Sequence, residues 1–306
     1  MTHFLLRRLL LTVPVVLGVA TLVFSLIHLV PGDPVQAMLG ESASPAEIAE
    51  LRGRLGLDRP LLVQYSRFLR GLAVGDLGRS LRTDQPVAQA IAERVPATFE
   101  LAGAAMTLAV LFALPLGIVA AVRARTAVDH AATTVALLGI SIPNFWLGPL
   151  LALVFSIGLG WLPVSGRGSL GSLVLPAITL AAPLGAVLAR ITRTSVLEEL
   201  GELHVLAARA RGVSWPRAIL KHAFRNSLIP IVTVLGLQVG AVLTGAVITE
   251  TIFAWPGIGR LLVQSIGFRD FPLVQGCILL IAVTYVSMNL LTDLMYGWLD
   301  PRIRYR

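Results

Sequence analysis

The sequence predicts an all-α membrane protein with six transmembrane helices. Apolar residues make up 56% of the 306 positions and charged residues only 14%, and the mean hydropathy is +0.80. A water-soluble domain typically spends about 25% of its residues on charge, so lipid must solvate much of this chain. Six apolar stretches approach the roughly 20-residue length of a spanning helix. They cover residues 9–30, 98–122, 133–159, 173–188, 226–248 and 277–298.

The first stretch predicts a retained helix rather than a cleaved signal peptide. It follows the basic pair Arg7 and Arg8 and runs from Leu9 to Val30. That run is longer than the apolar region of a signal peptide. We therefore expect the first span to stay in the protein.

Two of the six stretches contain a pair of prolines. Pro143 and Pro149 lie within the third, and Pro176 and Pro183 interrupt the fourth, which is the shortest. Proline inside a spanning helix frees carbonyl groups that neighbouring helices must satisfy. These positions predict kinked helices packed inside a bundle.

The basic residues predict the orientation. Six spans place both termini on one side, and the segments on that side carry most of the arginines. These residues are Arg7, Arg8, Arg123, Arg125, Arg190, Arg193, Arg209, Arg211, Arg217, Lys221, Arg225, Arg302, Arg304 and Arg306. The positive-inside rule makes this side cytoplasmic. We therefore expect a multi-pass membrane protein with both termini in the cytoplasm. The net charge of +8 then reflects arginines flanking the spans rather than nucleic-acid binding.

The segment between the first two spans predicts local structure outside the membrane. Ser44 is followed by Pro45 and Glu47, which together form a capping box with proline at the first helical position. The helix should run to about Leu55 and end at Gly56, and residues 61–72 predict a second amphipathic piece. A cap on the bundle and a surface for an external partner are both consistent with this pattern. The predicted domains are an N-terminal helix (1–30), this outer segment (31–95), a core (96–298) and a tail (299–306).

The loop between the fourth and fifth spans, residues 190–225, is long, basic and amphipathic. Its alanine-rich centre, Leu206–Gly212, favours a short helix that Gly212 can close in the left-handed conformation. Pro216 prevents simple continuation. The small residues at the centre are Ala207, Ala208 and Ala210. They predict a smooth face that fits a partner's groove, although an interfacial helix whose arginines meet anionic lipid is an alternative.

The sequence carries no recognisable catalytic or metal-binding pattern. The histidines are His3, His28, His130, His204 and His222, and no pair has metal-ligand spacing. Cys277 is the only cysteine, Lys221 is the only lysine, and no phosphate-binding Gly-x-x-x-x-Gly-Lys-Ser/Thr occurs. Asp293 lies inside a predicted span and shares a helix face with Asn289. These two residues could line a pathway or make a structural hydrogen bond.

The pattern Ala207–Gly212 resembles the cytoplasmic "EAA" loop of binding-protein-dependent ABC importer permeases, with Leu206 at the glutamate position. The following segment, Lys221–Pro230, resembles the peptide/nickel branch of that family, the dipeptide/oligopeptide permease B type. Further segments along the chain agree in order. They are Val30–Pro34, Leu55–Pro60, Gly75–Ser80, Ser141–Leu147, Gly160–Pro163, Glu250–Arg260, Arg269–Pro272, Asn289–Asp293 and Leu299–Tyr305.

The resemblance implies a type I ABC importer permease fold, a place in the cell inner membrane and a translocation pathway for short peptides. It implies a second homologous permease, an extracytoplasmic solute-binding protein and two ATPase subunits that bind ATP and magnesium, so that this chain is no enzyme and holds no cofactor. The coupling residues it implies are Leu206, Ala207, Ala208, Arg209, Arg211, Gly212, His222, Arg225 and Asn226.

Two kinds of alternative remain open. Within the family, the solute could be a nickel chelate, glutathione or another small molecule. In a different class, the chain could be an ion-coupled secondary transporter, which predicts inverted repeats and several acids within the membrane.

Overall fold

The computed structural model describes residues 2–29, 34–40 and 44–299. The helices are α1 Thr2–Leu29, α2 Pro34–Leu39, α3 Pro45–Leu55, α4 Leu61–Val74, α5 Val87–Ala92, α6 Val95–Val122, α7 Ala127–Ser141, α8 Asn144–Leu151, α9 Leu170–Leu200, α10 Leu203–Ala210, α11 Trp215–Arg217, α12 Phe224–Ile252, α13 Ile258–Gly267 and α14 Phe271–Leu299. Two π-helical segments follow α8 and α11, at Ala152–Gly158 and Ala218–Ala223.

Within the described residues, five stretches of helix are long and apolar enough to cross a membrane, and a bent pair of helices adds a sixth. The five cover residues 10–29, 87–122, 170–200, 215–243 and 271–292. The bent pair joins α7 to α8 and its π-helical continuation. Counted in this way, the predicted all-α fold with six spans is confirmed.

The third span is broken rather than kinked. The two halves of the pair meet at 104°. Ile142, between them, has the extended conformation, with φ −85° and ψ 115°. A proline disfavours the helical conformation in the residue that precedes it, and Pro143 follows Ile142 directly. Pro149 lies inside α8 without ending it. The prediction of a kinked helix was therefore wrong at Pro143, where the chain turns sharply.

The helix that contains the fourth span is longer than the predicted span. Helix α9 has 31 residues and contains both Pro176 and Pro183. The predicted span of 173–188 followed the apolar run alone. The helix continues because Arg190, Arg193 and the residues after them are compatible with helical conformation and need not lie in the hydrocarbon.

The outer segment has the predicted helices. Ser44 caps α3: its Oγ accepts a hydrogen bond from the Glu47 backbone N–H at 3.3 Å, and the Ser44 N–H donates to Glu47 Oε2 at 2.8 Å. The hydrogen bonds from the Ser44 backbone and hydroxyl lower the pKa of the Glu47 carboxyl. The helix ends at Gly56, which has φ +67°. The predicted second piece is α4, so both predictions are confirmed.

The chain forms two compact units. One contains Thr98–Trp255 and the chain from Ser287, and the other contains Thr2–Ala97 and Pro256–Val286. The boundary between the units at Ala97 and Thr98 lies two residues after the predicted boundary between the outer segment (31–95) and the core (96–298). Residues 256–286 group with the N-terminal unit, although the domain prediction placed them in the core.

In the first unit, α6, α9 and α12 pack around a small apolar cluster of Ala113, Leu188, Ala189 and Ile231. Close approach depends on Gly117 of α6. A Cβ atom added there would lie 2.6 Å from the Ala189 carbonyl oxygen and 2.6 Å from the Thr192 Cβ. Only a residue without a side chain lets α6 and α9 come this close.

The second unit has its own core and, among its described residues, one buried acid. Its core includes Val87, Ile91 and Cys277. Asp270 is buried and joins two loops, because Ser80 Oγ donates to its Oδ2 and the Leu81 N–H donates to its Oδ1 at 3.2 Å. These bonds satisfy a carboxylate that would otherwise be costly to bury.

Candidate functional site

The centre of the 190–225 loop is the short helix α10, and a Schellman motif ends it. The Val213 N–H donates to the Ala208 carbonyl at 3.2 Å, and the Gly212 N–H donates to the Arg209 carbonyl at 2.9 Å. Gly212 has φ +85°. This motif needs a left-handed residue at that position, which glycine supplies without steric strain. The predicted closing role of Gly212 is confirmed.

One face of α10 is anchored in the loop's own core. Val205 and Ala208 are both 1% exposed. Val205 packs with Ala218 and Ala223 of the second π-helical segment, and Leu200 and Val213 cover this cluster. The loop therefore folds on a small apolar core of its own. Ala208 belongs to this buried face, so the prediction that Ala207, Ala208 and Ala210 together form a smooth face for a partner was wrong for Ala208.

The opposite face of α10 is apolar and open. Leu203 is 80% exposed and Leu206 54%. Ala207 and Ala210 are exposed beside them. These four positions follow the i, i+3, i+4, i+7 spacing of one helix face, and we call them the outer face of α10. An apolar face of this kind is suited to a groove on another protein.

The two predicted arginines bond to the loop itself. Arg209 Nη1 donates to the Val213 carbonyl at 3.2 Å, and its guanidinium lies 5.3 Å from the Trp215 ring centroid. Arg211 Nε donates to the Ala207 carbonyl at 3.3 Å. These contacts hold the turn after α10 in place. In the structure, both arginines support the loop's shape.

Asn226, at the start of α12, ties the two ends of the loop together. Its Nδ2 lies 3.2 Å from Glu199 Oε2 at the end of α9 and 3.2 Å from His204 Nε2 in α10. His204 Nε2 and Glu199 Oε2 are 3.5 Å apart. The structure thus brings Asn226 together with α10. His222 is half-buried and Arg225 exposed nearby in the chain.

Glu199 and His204 were missed as members of this site. The sequence pattern points to His204 only as a candidate metal ligand, and it does not single out Glu199. No sequence pattern links Asn226 to residues 22 and 27 positions earlier. Their proximity arises from the fold of the loop.

Asn289 and Asp293 lie on α14, outside the loop. Asn289 is half-buried. The side chain of Asp293 lies outside the described residues, so the prediction for it stays a prediction. On the same helix, Thr292 packs against Gly236 of α12, where an added Cβ would meet Thr292 Cγ2 at 2.2 Å. This close packing supports the reading of this region as a helix contact.

Two further acids lie in helices that extend beyond the predicted spans. Glu250 is fully buried near the end of α12 and accepts a 2.6 Å hydrogen bond from Thr98 Oγ1. Asp129, near the start of α7, is 3% exposed and pairs with Arg193 of α9. The sequence prediction named only Asp293 as an acid within a span; it missed Glu100 in the second span and Asp129 in the third, which begins at Ala127 rather than at residue 133.

Among the described residues, no group of three or more His, Cys, Asp or Glu side chains could hold a metal ion. The structure shows α10 as an anchored helix with an open apolar face, and it shows tightly packed helices elsewhere. The arrangement supports protein–protein contact at α10.

The chain matches two related family models that together cover most of its length. Residues 113–305 match the binding-protein-dependent transport system inner membrane component. Residues 1–102 match the N-terminal model of binding-protein-dependent transport system membrane components.

Curated relatives match the chain from end to end. The di/tripeptide transport system permease protein DppB of Pseudomonas aeruginosa is 45% identical, over 100% of both chains. The dipeptide transport system permease protein DppB of Alkalihalophilus pseudofirmus is 42% identical, again over 100% of both. The glutathione transport system permease protein GsiC of Salmonella paratyphi A is 44% identical over 100% of both.

A solved structure shares the fold. The inward-facing MetNI methionine ABC transporter contains a chain with a TM-score of 0.54 and 17% identity, covering 69% of this chain and 96% of that chain. At this identity the likeness concerns the fold alone. It confirms the predicted type I ABC importer permease fold.

Proposed function

Because this chain belongs to the family of binding-protein-dependent transport system inner membrane components, we propose that it forms the membrane pathway of an ATP-driven importer of short peptides. Its relatives over the full length are transport permeases, two of them named for dipeptides or di/tripeptides. The pathway is shared with a second homologous permease subunit. The peptides are delivered by a solute-binding protein on the side opposite to the arginine-rich loops.

The outer face of α10 is the contact for an ATPase subunit. The single observation that carries this assignment is the apolar face of Leu203, Leu206, Ala207 and Ala210, which is open on a helix whose other face is anchored. Leu206 occupies the position at which the family's loop commonly has glutamate. An exposed leucine there predicts an apolar pocket in the ATPase cleft in place of a polar one.

ATP and magnesium bind to the partner ATPases. When the two ATPase subunits close around ATP, this chain changes its pathway from inward-facing to outward-facing. To move a pathway from 1% to 99% outward-facing, ATP and the docked binding protein must together favour that state by about 5.5 kcal/mol. The arginine-rich segments, including the 190–225 loop, lie in the cytoplasm, which places α10 on the side of the ATPases.

Replacing Leu206 with aspartate is expected to release the ATPases from the complex. A buried unpaired charge costs more than the ~1.4 kcal/mol that corresponds to a tenfold change in affinity. We therefore expect at least about tenfold less ATPase to co-purify with the tagged chain, while the second permease still does. Leu206→Met, which keeps the apolar contact, should retain both partners. Equal ATPase recovery from Leu206→Asp and Leu206→Met would contradict the assignment of this face.

The substrate is tested with the complete importer in proteoliposomes. We expect ATP-dependent uptake of a labelled dipeptide, with competition from unlabelled di- and tripeptides and none from nickel chelates. The full-length similarity to a glutathione permease makes glutathione the second candidate. Uptake of glutathione without dipeptide uptake would assign that solute instead. Uptake driven by an ion gradient without ATP would overturn the importer proposal.

A further inference from the structure

A cavity of about 380 Å³ lies in the unit that contains Thr98–Trp255, among helices α6, α7 and α9. Its lining is basic at one end, with His130, Arg190 and Arg193, and apolar at the other, with Leu137 and Ile140. The α7 residues that line it extend from 129 to 140. At 1.5 Å per residue this is a length of about 16 Å. The cavity is thus an elongated groove with a polar and an apolar end.

At the basic end, Arg193 is fixed by Asp129. Its Nη2 donates to Asp129 Oδ2 at 2.7 Å, and its Nε donates to Oδ1. The Asp129 carboxylate also accepts a hydrogen bond from the Arg125 backbone N–H at 2.8 Å. This bidentate pair neutralises one charge and holds the wall of the groove rigid.

Arg190 supplies the charge that remains. It lies one turn before Arg193 on α9 and is exposed. In the part of the chain that the structure describes, Arg190 forms no ion pair. His130, which is also exposed, adds a second group that can donate a hydrogen bond. The basic end therefore carries a net positive charge on donors of the kind that bind phosphate.

The apolar end is open at the side. Leu137 is 59% exposed and Ile140 39%, so the groove is not closed over these side chains. The basic end lies close to the point where α6 ends at Val122 and α7 begins at Ala127. In a membrane helix, the ends of the span lie at the level of the lipid headgroups and its middle lies among acyl chains. Each end of the groove thus matches one part of a lipid molecule.

We propose that this groove binds one anionic phospholipid, with its phosphate at Arg190 and His130 and an acyl chain along Leu137 and Ile140. Basic pockets between membrane helices are suited to anionic headgroups. A zwitterionic lipid offers the same acyl chain without the net charge, so it gains less at the basic end. The proposal requires only that the chain spans a membrane and is independent of the transported solute.

The test compares two lipids on the purified importer by native mass spectrometry, using phosphatidylglycerol and phosphatidylcholine with identical acyl chains. Arg190→Gln removes the charge at the groove, and Arg217→Gln removes an exposed charge on α11, which does not line it. One basic residue near an anionic headgroup contributes about 1 kcal/mol, or about fivefold in affinity. We expect Arg190→Gln to weaken phosphatidylglycerol binding about fivefold and Arg217→Gln to leave it unchanged.

A photoreactive residue in place of Leu137 identifies what occupies the apolar end. A cross-link to lipid supports the proposal, and a cross-link to a neighbouring subunit overturns it by making the groove a protein interface. Equal affinity for the two lipids would overturn it as well, as would an equal loss in the Arg190→Gln and Arg217→Gln variants. Because Arg190 is exposed, its replacement should not disturb folding, and an unchanged melting temperature checks this.

Discussion

Replacing Gly212 with valine is expected to reduce ATP-driven import by about tenfold or more while the chain remains in the membrane. Gly212 has φ +85°, a conformation that costs a β-branched residue of the order of 1–3 kcal/mol. Relief of this strain would open the Schellman motif and displace the turn at Val213 and Trp215. The outer face of α10 would then lose its fixed position. Peptide uptake and the ATPase rate of the reconstituted importer measure the effect together.

The control is the same substitution at Gly201, in the same loop. Gly201 has φ −84°, and an added Cβ would meet only the Glu198 carbonyl at an ordinary 3.4 Å. Gly201→Val should therefore retain import. A Gly212→Val importer with unchanged uptake, at equal amounts in the membrane, would show that the shape of this turn is not needed for coupling.

The second large effect is expected at Gly117, where alanine should destabilise the protein by roughly 1–3 kcal/mol through overpacking. The added methyl group would lie 2.6 Å from the Ala189 carbonyl oxygen, so α6 and α9 must move apart. Thermal unfolding of the solubilised importer should show a lower melting temperature, and the amount of protein in the membrane should fall.

Gly103 provides a matched control on the same helix. A Cβ there would have no neighbour within 4 Å. Alanine favours a helix over glycine by up to about 1 kcal/mol, so Gly103→Ala should leave the melting temperature unchanged or raise it. The two substitutions are chemically identical and are expected to differ in sign. Equal melting temperatures for the two variants would contradict the close packing of α6 against α9.

Features with a local cause could be predicted from the sequence. The capping box at Ser44 and the glycine at position 56 mark the two ends of α3. The helix begins and ends where these residues predict. Gly212 closes α10 for the same kind of reason, because the signal lies within a few residues of the structure it determines. The apolar composition sufficed for the membrane class and the number of spans.

Features that depend on distant neighbours could not be predicted. Pro143 breaks its span whereas Pro176 and Pro183 lie inside an unbroken α9, and residue type alone does not separate these cases. Ala207 and Ala208 are equally small, yet only Ala208 is buried, since Ala218 and Ala223 of a later segment help to form that core. The network of Glu199, His204 and Asn226 likewise exists only after the loop has folded.

The two faces of α10 separate the requirements of folding from those of partner choice. Val205 and Ala208 keep the helix on its support, while Leu203, Leu206, Ala207 and Ala210 point away from it. If the outer face binds an ATPase as proposed, exchanging only its four residues for those of a related importer is expected to alter recognition without changing the fold of the loop. Specificity of this kind can be redirected by adding a clash against one partner and a fit for another. On the proposed function, a duplicated gene for this chain would then acquire a different ATPase partner through about four surface substitutions.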